Sequence, residues 1–566
     1  MKNNFILLLF CLITFLSAQT IDWSWVESTG GVLQDYGSSV AITAEAIYVT
    51  GSFKISSMFG TTELESNGGY DIFVSKMDIE GNWLWAVSAG GSTNDFACDI
   101  ALDSEENIYL IGRFSGEIDF GQYHLNGSGS FDIFVAKLDL DGNWLWAVRA
   151  GGNDLDYGES IAIDSENCIY ITGSFWDTAA FGDSIFISAG ADDIYISKLN
   201  SNGEWLWSQQ CSGEYRDAGI ALEVDEYENI CFSGGFHGPT NFGPFVLSGN
   251  SYNDIFIAKL DETGDWLMLL EVLSSNNSIA VPRSLDLDSD NSVIITGEFS
   301  ESLYFGLPSM TLESCGQRDI FLAKLNSDFT WEWTTSAGGT GDDCGNSVEV
   351  DSNGNIWLTG CFSNTAEFGY EQFVSAGETD VFVSILDSDG NWLITEQAGG
   401  NSEDIGNALA INNSDEIILT GYFGDTASFG GISVTSNGND DFFVCAINHQ
   451  TFANDLLIPK EIFLTNFPNP FNPFTTISFS LTAKDAQDAK IEIYNLKGQK
   501  VKVFTFPSGS CPIGTSEQNL QITQSPNHQI VWDGTDQNNK PVSSGVYLYK
   551  LKAGEFEDSR KMLMLK

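Results

Sequence analysis

Asp132-Ile133-Phe134-Val135-Ala136-Lys137-Leu138-Asp139 decides the fold, because the chain repeats it seven times. The same run starts at Asp71, returns as Asp193-Ile194-Tyr195-Ile196-Ser197-Lys198, and recurs from Asp254, Asp319, Asp380 and Asp441. Successive copies begin 61 residues apart in five intervals and 65 apart in the sixth. Two other markers keep step. One is a Trp-x-Trp-like pair: Trp23/Trp25, Trp83/Trp85, Trp144/Trp146, Trp205/Trp207, Trp266/Met268, Trp331/Trp333 and Trp392/Ile394. The other is a Phe-Gly dipeptide at Phe59, Phe120, Phe181, Phe242, Phe305, Phe368 and Phe429. Three markers that agree on seven mean a repeat architecture.

Within one copy, β-branched and aromatic runs at 160–163, 168–175, 194–199 and 205–208 are separated by Gly, Asn and Asp. They read as four strands joined by tight turns such as Asp139-Leu140-Asp141-Gly142-Asn143. No segment has helical apolar spacing with caps, so the fold class is all-β. The third strand is apolar at nearly every position, as a sheet covered on both faces requires. In the fourth, tryptophans at i and i+2 are expected on one side of the strand, packed between neighbouring sheets. The ends of the array then choose between an open solenoid and a ring. It begins with an isolated fourth strand at 23–26 and closes at Asn448 with three strands and no tryptophan pair. Only a ring lets those fragments complete each other, which also hides the edges of an open array. The expectation is a seven-bladed β-propeller over residues 22–448, four strands per blade, with the N-terminal strand closing the last blade.

The motifs Gly142-Asn143-Trp144-Leu145-Trp146, Ser160-Ile161-Ala162-Ile163-Asp164 and Ile169-Tyr170-Ile171-Thr172-Gly173-Ser174-Phe175 resemble the β-propeller repeats of bacterial cell-surface proteins. That resemblance implies an architecture and no particular activity. A second one lies beyond the linker 449–465. Asn466-Phe467-Pro468-Asn469-Pro470-Phe471-Asn472-Pro473 leads into the alternating strand 475–481, followed by Val531-Trp532-Asp533-Gly534 and Ser543-Ser544-Gly545-Val546-Tyr547. Read from the residues, 466–566 is a sandwich of about seven short strands on the scale of an Ig-like domain. Its order of motifs resembles the type A sorting domain of type IX secretion substrates and the related Ig-like domain of hook-capping proteins. By that resemblance it would engage the secretion machinery, carry the chain across the outer membrane and leave it at the cell surface. The segment 505–529 is longer than the resemblance leads one to expect.

Export is also expected from the other end. Lys2, an apolar core at 5–16 and Ser17-Ala18 make a signal peptide of residues 1–18, its core too short to span a bilayer. No later segment is long and apolar enough to cross a membrane. The chain carries 78 acidic against 24 basic residues, a net charge of −54. From Lys460 onward there are 12 basic and 10 acidic residues, so the first part carries −56 and the last +2. Such acidity excludes nucleic acid as a partner, keeps the chain soluble and fits a monomer. Apart from Cys11 in the signal peptide, nine cysteines show no metal spacing and read as buried small hydrophobes, with one or two disulfides open to them.

Catalytic motifs are missing. Four histidines (His124, His237, His449 and His528) share no repeat position, and no nucleophile elbow, metal-ligand pair or phosphate loop is present. Aspartate-rich turns such as 387–391 lack the length of a calcium loop. One constellation stands out. An aspartate recurs four residues after the Gly that ends the tryptophan strand, at Asp35, Asp95, Asp156, Asp217, Asp343 and Asp404, with the fifth repeat lacking it. In a ring, six carboxylates would gather at one mouth of the channel, on the face where the long segments between second and third strands emerge. They are the candidate binding residues, with weak Ca²⁺ as the one cofactor to weigh. Against this stands a structural reading, in which each aspartate accepts backbone N–H groups in its own loop. The expected function is a non-enzymatic binding or adhesion module at the cell surface, for a glycan or surface polymer. The alternatives are a structural surface-layer component and a carboxylate-based polysaccharide-active enzyme.

Overall fold

The computed structural model describes residues 21–249, 253–275, 278–306 and 310–449, and in the C-terminal part 464–467, 475–480, 490–495, 497–505, 527–537, 540–553 and 556–565. The expected signal peptide, most of the linker and the Pro-rich entry at 468–473 lie outside these residues. Regular structure among the described residues is all strand. The chain divides into two compact units, Met1–Thr451 and Phe452–Lys566.

In the first unit one repeat is an antiparallel meander. Asp156–Ile163, Ile169–Phe181, Ser184–Leu199 and Trp205–Gly213 pair in succession. Third strands such as Asp132–Leu138 are buried along their whole length, which is why they show no polar alternation. The segments between second and third strands are not free loops. They continue as hairpins whose outer edge pairs with the fourth strand of the preceding repeat, as in Gly151 opposite Ala180, Cys211 opposite Phe242 and Ala398 opposite Phe429.

The tryptophans correct a sequence expectation. Lys137 faces Trp146 and Leu138 faces Trp144, leaving Leu145 as the extra residue of a bulge. The same shift occurs at Leu84, Leu206 and Leu393. The bulge puts the two indoles on opposite faces of the sheet, so each serves a different interface. The first tryptophan meets the Phe-Gly phenylalanine of its own repeat edge-on. Ring centres are 5.4 Å apart for Trp83–Phe59, 4.9 Å for Trp144–Phe120 and 5.7 Å for Trp392–Phe368. The second reaches the next repeat, where Trp85 Nε1 donates to Leu140 O at 3.2 Å and Trp146 Nε1 to Ser201 O at 3.1 Å. Gly142, at φ 82°, lets that turn lie on the Trp85 ring.

The two ends of the array meet. Ile21–Thr29 pairs antiparallel with the last repeat's third strand, from Ile21 opposite His449 to Thr29 opposite Phe442. Trp23 lies edge-on to Phe429 at 5.2 Å, the contact that the other repeats make internally. Trp25 Nε1 donates to Ile79 O in the first repeat at 3.2 Å, and Asn407 Nδ2 donates to Gly37 O at 2.7 Å. The first strands of all seven repeats line one cavity of about 390 Å³, among them Ser39, Asp99, Glu159, Glu223, Glu349 and Asn407.

The second unit has two sheets. Leu464–Phe467, Thr475–Ser480 and Asn527–Trp532 form one, and Lys500–Thr505, Lys490–Asn495, Gly545–Ala553 and Phe556–Met564 the other. Ile477 and Trp532 from the first share a core with Ile491, Ile493, Tyr547 and Leu551 from the second. Eight cysteines fall among the described residues and all are free, with Cys344 and Cys361 opposite each other on neighbouring strands.

Candidate functional site

All six candidate aspartates are buried, at 0–1% exposure. Five begin or immediately precede the first strand in the same way. The Oδ2 of Asp95 accepts from Gly91 N at 2.7 Å and its Oδ1 from Ser115 N at 3.3 Å. Asp35 does the same with Gly31 and Lys54, Asp156 with Gly152 and Trp176, Asp343 with Gly339 and Ser363, and Asp404 with Gly400 and Gly424. Asp217 instead takes His237 N and Thr240 Oγ1. The carboxylate therefore ties the entry of its own repeat to the start of the hairpin. Where the fifth repeat lacks it, Ala280 opens the first strand.

Burial pushes all six carboxyls up to about 7, partly opposed by the backbone N–H groups. A further cause is a second carboxylate that sequence reasoning missed. Asp441 stands near Asp35, Asp71 near Asp95, Asp132 near Asp156, Asp193 near Asp217, Asp319 near Asp343 and Asp380 near Asp404. These are the residues that head each third strand. The signal was an acid opening a strand otherwise apolar throughout. The six candidates are thus members of six pairs, each bridging two neighbouring repeats, as Asp71 on the third strand of the first repeat meets Asp95 at the first strand of the second.

Glycine makes each pair fit. A Cβ on Gly399 would lie 2.9 Å from Asp380 Oδ1 and 2.9 Å from Asp404 Oδ2, and one on Gly151 2.6 Å from Asp156 Oδ2 and 3.0 Å from Asp132 Oδ1. At the end of the fourth repeat Ser274 replaces the second glycine of this motif, and its N–H and hydroxyl both donate to Asp254 Oδ1, at 2.8 and 3.0 Å.

At the same strand ends an arc of half-buried aromatic rings runs across repeats seven, one, two and three. Centres are 4.8 Å apart for Tyr422–Tyr36, 6.0 Å for Tyr36–Tyr70, 5.3 Å for Tyr70–Phe96, 6.1 Å for Phe96–Phe131 and 6.4 Å for Phe131–Tyr157. Arg113 lies over Phe96, Phe131 and Tyr157 at 5.3, 5.9 and 4.9 Å, and Lys54 over Tyr70 at 5.0 Å. Acidic Glu403 and Asp440 flank the Tyr36 end. Each of Tyr36, Phe96 and Tyr157 directly follows a candidate aspartate, a pattern visible in the sequence but confined to three repeats.

The first strands carry a further acidic set, of which Asp99, Glu159, Glu223 and Glu349 line the cavity. Burial raises Asp99, Glu159, Glu223, Asp286 and Glu349, and mutual repulsion adds to it for Glu223 and Glu349. Asp99 accepts from Ser39 Oγ at 2.8 Å and from Ile161 N at 3.0 Å, joining three adjacent first strands.

Comparison with known proteins adds to this geometry. The chain is 23% identical over 476 residues to an uncharacterised WD repeat-containing protein of Acanthamoeba polyphaga mimivirus, covering 69% of this chain and 34% of that one. It is 23% identical over 359 residues to the regulatory protein FlaEY of Caulobacter vibrioides, covering 59% and 37%. The chain thus spans about a third of the length of these relatives. Among solved structures, PorZ, a surface component of the type IX secretion system of Porphyromonas gingivalis, aligns with 96% of this chain and 100% of its own at 10% identity and a TM-score of 0.21. Residues 465–527 match the secretion system C-terminal sorting domain. The chain is therefore an all-β repeat protein that ends in a sorting domain of the type IX secretion family.

Proposed function

We propose that residues 22–448 form a seven-bladed β-propeller and residues 466–566 an Ig-like sorting sandwich, and that the protein is a non-enzymatic binding or adhesion module displayed on the outer membrane. The sorting-domain match at 465–527 carries the surface assignment. The pairing of Ile21–Thr29 with the last repeat, and the cavity shared by seven first strands, support the closed ring. The secretion machinery is the partner of the C-terminal unit, whose sequence is near neutral while the repeats are strongly acidic.

The binding face is the one that bears the aromatic arc, and its ligand is a glycan or surface polymer. Sugar rings present C–H faces that stack on aromatic rings, while hydroxyl groups pair with side chains such as Glu403, Asp440 and Arg113 at the edges. The alternating aromatic and charged lining suits such a ligand better than a purely apolar one.

Two outcomes are expected. Deleting residues 466–566 leaves the repeats folded but retains them in the periplasm, and fractionation showing unchanged surface display would refute the sorting role. On a glycan array, the wild-type chain binds a defined set of polysaccharides and a Tyr36→Ala/Tyr70→Ala variant with unchanged melting temperature binds at least about tenfold more weakly, a loss of about 1.4 kcal/mol. A chain that binds no glycan, with or without the tyrosines, is a structural surface component instead.

A further inference from the structure

Four of the aspartate pairs leave an oxygen with neither a hydrogen-bond donor nor an ion-pair partner. Asp71, Asp319, Asp380 and Asp441 are buried to within 3% of full burial, and in each it is Oδ1 that has no hydrogen-bond partner. The other oxygen of each is satisfied in its loop, by Asn67 N, Cys315 N, Ala376 N and Asn437 N respectively. Among the described residues no lysine, arginine or histidine forms an ion pair with these aspartates or with their partners Asp95, Asp343, Asp404 and Asp35. In Asp35/Asp441 and Asp380/Asp404 the orphan oxygen and a partner oxygen face the same glycine. On Gly30, a Cβ position lies 2.3 Å from Asp441 Oδ1 and 2.9 Å from Asp35 Oδ2, so both oxygens converge on one point beside the glycine.

The other repeats supply the missing charge or donor. Asp132 has Arg149 Nε at 3.5 Å from its Oδ1. Between the third and fourth repeats Gly213 N donates to Asp193 Oδ1 and Thr240 Oγ1 to Asp217. Between the fourth and fifth, one aspartate is gone and Ser274 donates twice to the other. The donors satisfy the acceptor outright, Arg149 supplies charge to an Oδ1 that still has no hydrogen bond, and the four remaining pairs contain none of these. A buried carboxylate oxygen without a partner is costly, and two facing carboxylates repel.

We propose that each of these four pairs, Asp35/Asp441, Asp71/Asp95, Asp319/Asp343 and Asp380/Asp404, binds a hard divalent cation of the Ca²⁺ class. Carboxylate oxygens as the only side-chain donors exclude softer transition metals. No group of three or more metal-ligating side chains occurs among the described residues, so main-chain carbonyls and water complete the coordination. The ion would neutralise both carboxylates and clamp the start of one repeat's first strand to the third strand of the neighbouring repeat.

The test uses the full exported chain, stripped with EDTA and returned to Ca²⁺ at pH 7.5 in 0.15 M NaCl to suppress loose binding by the acidic surface. Equilibrium dialysis is expected to give four saturable sites per chain, and 2 mM Ca²⁺ a melting temperature on the order of 5–10 °C above that in EDTA. Asp95→Asn removes one site. Its amide replaces an acceptor of Gly91 N or Ser115 N, so it melts lower than wild type in EDTA, and the readout is its smaller rise in melting temperature on adding Ca²⁺. Asp217→Asn, in the pair that already has Thr240, leaves all four sites. Two results would overturn the proposal: no saturable Ca²⁺ with equal melting in both buffers, which assigns the pairs to protons alone, or Asp95→Asn and Asp217→Asn having the same effect on stoichiometry.

Discussion

Deleting residues 19–30 is expected to lower the melting temperature by about 10 °C or more and to make the chain associate more than the full-length protein does. Ile21–Thr29 is the outermost strand of the last repeat, contributed from the opposite end of the chain. Without it the Ile432–His449 strand loses its neighbour and presents an unpaired edge, the usual template for joining another chain. The deletion also removes Trp23, 9% exposed and packed on Phe429, together with Ile21 and Val26 at 4% and 8%. Loss of one large buried aromatic alone typically costs about 3–5 kcal/mol. Trp25 goes too, with its hydrogen bond to Ile79 O, one of the links between last and first repeats. Calorimetry and light scattering on the truncated and full chains measure both effects. An unchanged melting temperature in a species that associates no more than the full chain would mean the strand is decoration and the ring closes without it. Trp23→Ala should show a smaller loss and no association, since the strand remains.

The second large effect is on pH. In Ca²⁺-free buffer the protein is expected to melt on the order of 5–10 °C higher at pH 5 than at pH 8, the reverse of a fold held by carboxylate ion pairs. Asp99, Glu159, Glu223 and Glu349 at the central cavity, and Asp286 on the same first strands, are all raised, first by burial. Repulsion from Asp99 and Asp286 adds for Glu223 and Glu349, and from Glu223 also for Glu349. A carboxyl whose folded value lies above its unfolded value of about 4 binds its proton more tightly when folded. Its stabilising contribution is complete below about pH 4 and is lost as the pH rises through the folded value. The strand-end aspartates, raised to about 7, act in the same direction over the same interval. These cavity groups retain some contact with solvent, which weakens the effect per group. Glu223→Gln/Glu349→Gln isolates their part: the double variant should melt higher than wild type at pH 8 and about equally at pH 5. A melting temperature that falls steadily from pH 8 to pH 5 contradicts the assignment.

Much of this was legible beforehand because the repeat is strict. The repeat, the wholly apolar third strand and the all-β class follow from residue types at fixed spacing, and residue types at fixed spacing are what a sequence displays. The joining of the chain's ends was also legible, since a fourth strand without its first three has to find them elsewhere. The tryptophan pair was read with the right use and the wrong geometry. Alternation by two assumes a regular strand, and the bulges at Leu84 and Leu145 depend on which partner residue each tryptophan faces.

The candidate site divides along the same line. Asp35, Asp95, Asp156, Asp217, Asp343 and Asp404 could be picked out by their recurrence. Their burial, and the second aspartate opposite each, could not, because Asp71 and Asp95 lie on different strands and meet only when the hairpins fold back. Nor could the aromatic arc be assembled, since Tyr422 and Tyr36 are far apart in the chain and 4.8 Å apart in space. By itself the sequence determined the repeat, its strands, its acidity and the sorting signal, all of which are written in contiguous residues. Tertiary structure alone decided which carboxylates share a buried space and which rings share a face, because burial and repulsion arise between residues that only the closed array brings together.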